Sequence, residues 1–298
     1  MQTDNAKPRI GLIGPGIMGK PMGMNLMKAG YSLSVYARRE ASAEELMAAG
    51  ADFHSTPAEL AANVDILIAI VSDTPDVEAI LMGENGVMAG AKEGLLFIDM
   101  STISPVATRD FAEQLAAKGI RMLDAPVSGG DIGAINGSLT IMVGGQQADF
   151  DEALPVFQAM GKTITLIGDH GAGQMVKACN NVIIAQTVIA VSESFELAKQ
   201  AGVDLAKARE ALMGGFAGSK VMEIHAQRII DDTYIPGFKA KLHHKDLQIA
   251  AKTIDAFQLN LPGSQLAADY MARLVEQGDG EIDSAGVAKI VQQEAHKG

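Results

Sequence analysis

The sequence contains a single cysteine, Cys179, among its 298 residues. One thiol cannot form an internal disulfide, so a small scaffold held together by disulfides is excluded. A chain of this length is instead long enough to bury a hydrophobic core of its own. Because cysteine is so scarce, the composition suits a reducing compartment, and we expect a cytoplasmic protein.

Basic residues are outnumbered by acidic ones. Lys and Arg total 24 against 36 Asp and Glu, which gives a formal net charge of −12. Nucleic acids and anionic membrane surfaces are bound by basic faces, so neither is an expected partner. A small anionic substrate is still compatible with this charge, since a few local donors can hold it against the overall field.

Long apolar runs are also missing from the sequence. Residues 65–71 form one of the longest, and a membrane-spanning helix needs about 20 apolar residues. The N-terminal residues 1–8 are polar and lack the apolar stretch of a signal peptide. Both observations predict a globular protein with no membrane partner.

The first half of the chain alternates short apolar runs with helical patterns. The runs are nearly continuous in apolar residues, which is typical of strands covered by helices on both faces. They occupy residues 10–13, 33–36, 66–71, 95–99, 122–124, 141–143 and 164–167. Repeated strand–helix units imply right-handed crossovers and a doubly wound sheet. We therefore predict a Rossmann-type α/β domain over residues 1–169.

The pattern changes after Gly168, where a long helix begins. Residues 175–200 contain no Gly or Pro and carry apolar side chains on nearly every side. Such a helix should be buried all round, and at about 1.5 Å per residue it is roughly 40 Å long. We expect it to join two domains and to be covered by helices of its own domain or of a second subunit, and we expect a homodimer or homotetramer. The remaining helical patterns predict an all-α domain over residues 170–298.

A glycine-rich loop follows the first apolar run and opens the first helical pattern. Its sequence is Gly14-Pro15-Gly16-Ile17-Met18-Gly19. Three glycines at this spacing between a strand and a helix are typical of a dinucleotide-binding loop. Gly14 would make the tight turn, Gly16 would let the backbone approach the phosphates, and Gly19 would pack the helix on the strand. Because Pro15 has no N–H, the phosphate donors should be Gly16 and the helix start at Ile17 and Met18.

The end of the second strand indicates which dinucleotide is bound. An acidic residue there would hold the ribose hydroxyls of NAD, whereas an arginine would accept the 2′-phosphate of NADP. The sequence has Ala37-Arg38-Arg39 at this point, and Glu40 lies beyond the expected position. The pattern favours NADP within an NAD(P)-binding protein, with Arg38 as the phosphate partner. Two solvated arginines are the alternative interpretation.

Three further segments carry groups that suit a small carboxylic acid. Ser128-Gly129-Gly130 follows a predicted strand and offers a hydroxyl and two backbone N–H groups, a cradle for a carboxylate. Lys177 and Asn181 are four residues apart and so share one face of the long helix. A buried lysine is unfavourable unless it has a function or a partner. Lys245 is the third candidate, at a predicted helix start.

Other reactive side chains suggest structural roles. His243 and His244 are adjacent, so on a helix they point to different sides and make a poor metal pair. Cys179 lies roughly 200° around the long helix from Lys177, and we expect it in the core. The sequence indicates no metal site.

Together these segments resemble the β-hydroxyacid dehydrogenase family over essentially the whole chain. The family's motifs occur in order: the glycine-rich loop, residues 124–130, residues 171–181 and Lys245-Asp246-Leu247. The resemblance implies that Lys177 is the catalytic lysine and Asn181 its partner at the substrate, with no metal required. It also implies that Ser128, Gly129 and Gly130 bind the substrate carboxylate.

The same resemblance implies further cofactor contacts. Lys245 would lie beside the nicotinamide, and Val71, Ser72 and Thr102 would follow the strands that border the cofactor. The sequence departs from the family at Pro15, where leucine is usual, and at residues 71–73, where Met-Leu-Pro is common. Neither departure removes a catalytic group.

Four shorter stretches are similar to one subgroup, which reduces 2-hydroxy-3-oxopropanoate (tartronate semialdehyde) to D-glycerate with NAD(P)H. They occupy residues 83–86, 211–217, 236–239 and 242–243. Within the family, 3-hydroxyisobutyrate dehydrogenase or another dehydrogenase of short β-hydroxyacids stays open, because it shares every catalytic motif. Imine reductases typically replace the lysine, and 6-phosphogluconate dehydrogenases are much longer. An inactive dinucleotide-binding sensor is the alternative of a different class, and it would have no use for Lys177 and Asn181.

Overall fold

The computed structural model describes residues 7–297, so the first six residues of the polar N-terminal segment lie outside it. The described residues form two compact units, one ending at Lys177 and the other beginning at Ala178. This division falls inside a long helix, α9 (Ala172–Gln200). The predicted domain boundary at residue 169 lies just before the start of that helix.

A sheet of nine strands forms the centre of the first unit within the described residues. The strands are β1 (Ile10–Ile13), β2 (Leu33–Tyr36), β3 (Asp52–Phe53), β4 (Ile66–Ala69), β5 (Leu96–Asp99), β6 (Arg121–Asp124), β7 (Val127–Ser128), β8 (Leu139–Gly145) and β9 (Gly161–Gly168). Their order is β3-β2-β1-β4-β5-β6-β8-β7, with β9 paired to β8. The pairings from β3 to β6 are parallel, whereas β8 runs antiparallel to β6 and β7. The predicted doubly wound α/β fold is confirmed. The antiparallel pairings at one edge of the sheet were not predicted from the apolar runs.

Burial on both faces of the sheet explains the continuous apolar runs. In β4 all four residues are buried, and successive side chains enter opposite cores. Ile66 and Ile68 pack in one hydrophobic cluster, while Leu67 and Ala69 pack in the other. Helices cover both clusters, so neither face of these strands meets water.

In the described part of the first unit, eight α-helices pack against this sheet. They are α1 (Gly19–Lys28), α2 (Glu44–Ala48), α3 (Pro57–Asn63), α4 (Thr74–Met82), α5 (Val87–Gly90), α6 (Pro105–Ala116), α7 (Gly130–Ile135) and α8 (Gln147–Met160). Side chains that cap helix N-termini fix several starts: Thr56 accepts from Glu59 N at 3.1 Å, and Ser104 precedes Pro105 at the start of α6. Such caps satisfy N–H groups that the helix itself leaves open.

The second unit is helical, as predicted. Beyond α9 it contains α10 (Leu205–Met213), α11 (Lys220–Ile230), α12 (Ala240–Ala256), α13 (Pro262–Leu274) and α14 (Ala288–Ala295). Its described residues contain one isolated bridge, between Lys239 and Asp283, and no strand. Helix α12 begins at Ala240, ahead of the helix start predicted at Lys245. Lys245 therefore lies in the second turn of α12, not at its start.

Within a single chain the long helix is not buried all round, so cover by its own domain alone is wrong and cover by a second subunit stays a prediction. Ile183 and Leu197 are 63% and 74% exposed, and Cys179, one turn before Ile183, is exposed, so the prediction that it lies in the core is wrong. The helices of the second unit cover only the side that carries Val188 and Phe195. By length and composition α9 could cross a membrane, with a mean hydropathy of 1.3 over its most apolar 18 residues. Long core helices of globular folds meet the same criterion.

Candidate active site

The carboxyl edge of the parallel strands brings together the predicted cofactor residues of the first unit. Strand β1 pairs with β2 on one side and with β4 on the other, so the connections diverge at β1. In open α/β sheets, ligands bind where the strand order reverses in this way. The glycine-rich loop follows β1, Arg38 follows β2, Val71 and Ser72 follow β4, and Thr102 follows β5.

The three glycines of the loop are needed for different physical reasons. Gly14 has a φ of +91°, and a Cβ there would lie 2.2 Å from the carbonyl oxygen of Ile70. A Cβ on Gly19 would lie 2.1 Å from the carbonyl oxygen of Gly14. Around Gly16, by contrast, a Cβ would meet nothing within 4 Å. Gly14 and Gly19 thus serve the turn and its packing, whereas the space at Gly16 fits the approach of a pyrophosphate.

One predicted phosphate donor is already used by the loop itself. The N–H of Gly16 donates to the carbonyl oxygen of Gly14 at 2.8 Å, so in this conformation the donor is engaged within the turn, and its role at a phosphate stays a prediction. The backbone N–H groups of Ile17 and Met18 are then the loop's candidates. They precede α1, whose first turn contains no acidic residue to offset the positive end of the helix dipole.

Arg38 lies where a 2′-phosphate partner was predicted. Its side chain is 79% exposed and pairs with Asp76 of α4, with 3.4 Å between Nη1 and Oδ1. Exposed ion pairs of this kind contribute little to stability. A phosphate dianion can therefore compete with Asp76 for the guanidinium at small cost.

Hydrogen bonds with little or no access to water join the ends of β4 and β5. The N–H of Val71 donates to Ser101 Oγ at 2.9 Å, and the N–H of Ser101 donates to Asp99 Oδ1 at 3.0 Å. Ser101 is 2% exposed. The backbone directly before Thr102 is consequently held in place, which suits a residue that has to meet a cofactor at a fixed position.

The predicted carboxylate cradle has a backbone that only glycine adopts readily. Gly129 and Gly130 have φ angles of +135° and +63°. Ser128 is registered against Thr140 in the β7–β8 pairing. Asn25 of α1 donates to the carbonyl oxygen of Ala134 in α7 at 2.7 Å. The segment is thus attached to the helix that follows the dinucleotide loop.

Asp124 anchors the first turn of α9. It is fully buried, and its carboxylate accepts the N–H groups of Gly171 at 2.7 Å and Gln174 at 2.9 Å. Burial raises the pKa of Asp124, while these two N–H groups act in the opposite direction. A Cβ on Gly173 would lie 2.3 Å from the carbonyl oxygen of Met142, so the helix start packs directly on the sheet. Three residues beyond Gln174, Lys177 is 8% exposed.

In the second unit, Asp246 links two of the predicted site residues. Asn181, which is 2% exposed, donates from Nδ2 to Asp246 Oδ2 at 2.8 Å and accepts from Asn180 Nδ2 at 3.2 Å. Lys245 Nζ lies 2.8 Å from the other oxygen, Asp246 Oδ1. Sequence reasoning assigned no role to Asp246. The sequence does show an acidic residue directly beside Lys245, but it does not show which other helix packs against that side chain.

The contacts of His243 and His244 are those of structural residues. His243 is 1% exposed, and its Nε2 lies 3.1 Å from the carbonyl oxygen of Asn181. Burial lowers the pKa of His244, whose Nε2 lies 3.0 Å from Gln248 Nε2. In the part of the chain that the structure describes, no three His, Cys, Asp or Glu side chains are grouped to hold a metal.

Known protein families match both halves of the chain. Residues 9–168 match the NAD binding domain of 6-phosphogluconate dehydrogenase, and residues 171–291 match the NAD-binding domain of NADP-dependent 3-hydroxyisobutyrate dehydrogenase. The 2-hydroxy-3-oxopropionate reductase of Escherichia coli is 42% identical over 95% of this chain and 97% of its own length. The chain belongs to the β-hydroxyacid dehydrogenase family.

Other members of the β-hydroxyacid dehydrogenase family show how widely its substrates vary. The NAD-dependent L-serine dehydrogenase of Pseudomonas aeruginosa is 34% identical over 95% of this chain and 97% of its own. A structure of the 3-hydroxyisobutyrate dehydrogenase of Mycobacterium tuberculosis with L-serine superposes with a TM-score of 0.90 at 29% identity. That match covers 96% of this chain and 99% of the other. Membership therefore establishes NAD(P) binding and hydroxyacid dehydrogenase chemistry, while the particular acid and cofactor depend on individual residues.

Proposed function

We propose that this β-hydroxyacid dehydrogenase reduces 2-hydroxy-3-oxopropanoate to D-glycerate, with NADPH as its preferred hydride donor. The observation that carries the reaction type is the buried Lys177, followed one helical turn later by Asn181, whose amide is held by Asp246. The substrate is supported by the 42% identity to the Escherichia coli reductase across nearly the whole chain.

The substrate carboxylate binds at the cradle of the first unit. The hydroxyl of Ser128 and the N–H groups of Gly129 and Gly130 donate to its oxygens. The positive φ angles of the two glycines shape this segment before any ligand arrives. Holding the carboxylate fixes the aldehyde group at a set distance from it, which limits the poses available for reaction.

Lys177 supplies the proton. When bound, the reduced dinucleotide supplies a hydride that forms the new C–H bond at the aldehyde carbon. The electron pair of the carbonyl bond moves to the oxygen, which takes a proton from Lys177 Nζ and becomes the hydroxyl of the product. The ammonium also attracts the developing charge on that oxygen, and burial strengthens the attraction.

Asn181 orients the reacting groups. Its Nδ2 carries two hydrogens and donates one of them to Asp246. We assign the other hydrogen to the oxygen of the substrate's 2-hydroxyl group, on the carbon next to the aldehyde. Because the amide is held at both ends, by Asp246 and by Asn180, it loses little rotational freedom when substrate binds.

A rate comparison across three semialdehydes tests the substrate assignment. We expect the highest kcat/KM with tartronate semialdehyde and NADPH. Methylmalonate semialdehyde and succinate semialdehyde, which lack its 2-hydroxyl, should be poorer by about tenfold or more, because a polar group of the site is then left unpaired. The measurement is the initial rate with each aldehyde, with NADH and with NADPH. A clear preference for either of the other aldehydes would contradict the substrate while leaving the family intact.

Arg38 is expected to select NADPH. Replacing it with alanine should raise the KM for NADPH by about tenfold or more, because a charge-assisted bond to the 2′-phosphate is lost. The KM for NADH should not change. Arg39→Ala, at the neighbouring exposed position, is the matched control. If Arg39→Ala raises the KM for NADPH and Arg38→Ala does not, the phosphate partner has been assigned to the wrong arginine.

A further inference from the structure

Gln174 uses both ends of its side chain on one short backbone segment. Its Nε2 donates to the carbonyl oxygen of Ser101 at 2.8 Å, and its Oε1 accepts from the N–H of Ile103 at 3.1 Å. The side chain is 1% exposed, so water does not compete for these bonds. An amide held at both ends fixes the orientation of the segment as well as its distance. The segment it holds, residues 101–103, contains the predicted cofactor contact Thr102.

The backbone of Gln174 is itself fixed. Its N–H donates to Asp124 at the end of β6, and Asp124 also accepts the N–H of Gly171. On the other side, Ser101 Oγ accepts the N–H of Val71 at the end of β4. A continuous set of hydrogen bonds, buried or part-buried, therefore connects the ends of three adjacent strands to the first turn of α9.

We propose that Gln174 is a positioning residue that sets the distance between the cofactor-binding segment 101–103 and the proton donor Lys177. This inference rests on the proposed function, which assigns those roles to Thr102 and Lys177. Lys177 follows Gln174 by three residues, so the two side chains project from the same side of α9, with about 5–6 Å between their Cβ atoms. Hydride and proton must reach one carbonyl group from two sides, and a displacement of about 1 Å costs up to about a hundredfold in rate.

Gln174→Met tests the proposal, because methionine has a similar volume and makes neither hydrogen bond. We expect kcat to fall by about ten- to a hundredfold and the dissociation constant for NADPH to rise by about three- to tenfold. The KM for the aldehyde should stay within about twofold, since the carboxylate cradle lies outside the hydrogen-bonded set. Gln174→Asn keeps the amide on a side chain one methylene shorter and can reach one backbone partner at most. Its kcat and its dissociation constant for NADPH should lie between those of the parent protein and of Gln174→Met.

Ser192→Ala is the matched control. Ser192 lies on the same helix, is 2% exposed, and donates to the carbonyl oxygen of Val188 at 2.7 Å, within the helix. Its loss removes a buried hydrogen bond about 27 Å along the helix from Gln174, so thermal stability should fall while kcat does not. All variants are compared per mole of folded, NADPH-binding protein.

Two results would overturn the assignment of Gln174. One is a kcat for Gln174→Met within about twofold of the Ser192→Ala value; the other is an unchanged NADPH dissociation constant. The latter is measured by nicotinamide fluorescence without any aldehyde. If the parent protein turns over none of the three semialdehydes, the proposed function fails, and the binding measurement still tests whether Gln174 holds the cofactor segment.

Discussion

Lys177→Ala is expected to lower kcat by about 10²- to 10⁴-fold. The variant removes the proton that the carbonyl oxygen takes up and the positive charge that attracts it. The position is 8% exposed, so bulk water is poorly placed to replace the lysine as a donor. Affinity for NADPH should change little, because the phosphate donors belong to the loop after β1. The measurement is single-turnover reduction of tartronate semialdehyde, with cofactor affinity determined separately.

Two companion variants distinguish loss of chemistry from loss of structure. Lys177→Met keeps most of the side-chain volume and should be as slow as the alanine variant. Lys199→Ala removes a lysine from the last turn of the same helix, where the side chain is 61% exposed, and should leave kcat unchanged. Near-normal turnover by Lys177→Ala, with folding and NADPH affinity intact, would eliminate Lys177 as the proton donor.

Asp283→Ala is expected to destabilise the chain by about 3–5 kcal/mol. Asp283 is fully buried and lies 2.9 Å from Arg228 Nη1 and 3.4 Å from His225 Nδ1. It also accepts backbone N–H groups from Gly237 at 2.9 Å and Phe238 at 3.1 Å. Removing the carboxylate leaves a half-buried guanidinium and these N–H groups without their acceptor, in the segment that leads into α12. Urea unfolding of the full chain, followed by circular dichroism, measures the loss.

Acid should weaken the same interaction. Burial alone would raise the pKa of Asp283, but the contact with His225, hydrogen bonds from Ala285 and Phe238 and the charge of Arg228 bring it down to about 2. Its ordinary value is 3.8. Because the folded-state pKa is the lower one, the stabilisation is complete above the unfolded value and disappears as pH falls through the folded one. The shift corresponds to about 2 kcal/mol, lost between about pH 4 and pH 2.

A neighbouring acid serves as the control for Asp283. Glu281→Gln changes an exposed carboxylate that pairs with Lys239 and Lys241 on the surface, and it should change the free energy of unfolding little. Asp283→Asn should show a flatter loss of stability between pH 4 and pH 2 than the parent protein, since its side chain does not titrate. Parallel acid profiles for the parent and Asp283→Asn would show that another group controls acid unfolding.

Sequence reasoning predicted the parts of the fold that depend on local pattern. The continuous apolar run of β4 predicts burial on both faces, and β4 is buried on both. Strands β3 and β7 were missed because two residues cannot show a period. For α9 the pattern correctly predicts a long helix, but it cannot show which apolar side chains this chain covers. Ile183 is the result: apolar in sequence and exposed in the single chain.

The residues of the candidate site likewise divide into those that local sequence predicts and those that depend on distant partners. Gly14 was predictable, because the need for a positive φ and a close approach arises within a few residues of chain. Gln174 and Asp246 were not assigned roles, since their partners Ser101 and Asn181 lie 73 and 65 residues away and neighbouring residues do not indicate the pairing. The glycine pattern also does not reveal that the turn engages the N–H of Gly16, which donates to the carbonyl oxygen of Gly14.

Asp246 has a thermodynamic consequence for the order in which ligands bind. One of its oxygens holds Lys245, and the other holds the amide of Asn181. If Lys245 meets the nicotinamide, as the resemblance to the family implies, Asp246 shares that ammonium with the ligand, and the hydrogen bond that Asp246 accepts from Asn181 changes in strength with it. Binding of the cofactor and of the acid then become energetically coupled through a single carboxylate. Such coupling is reciprocal, so each ligand must alter the affinity for the other by the same factor.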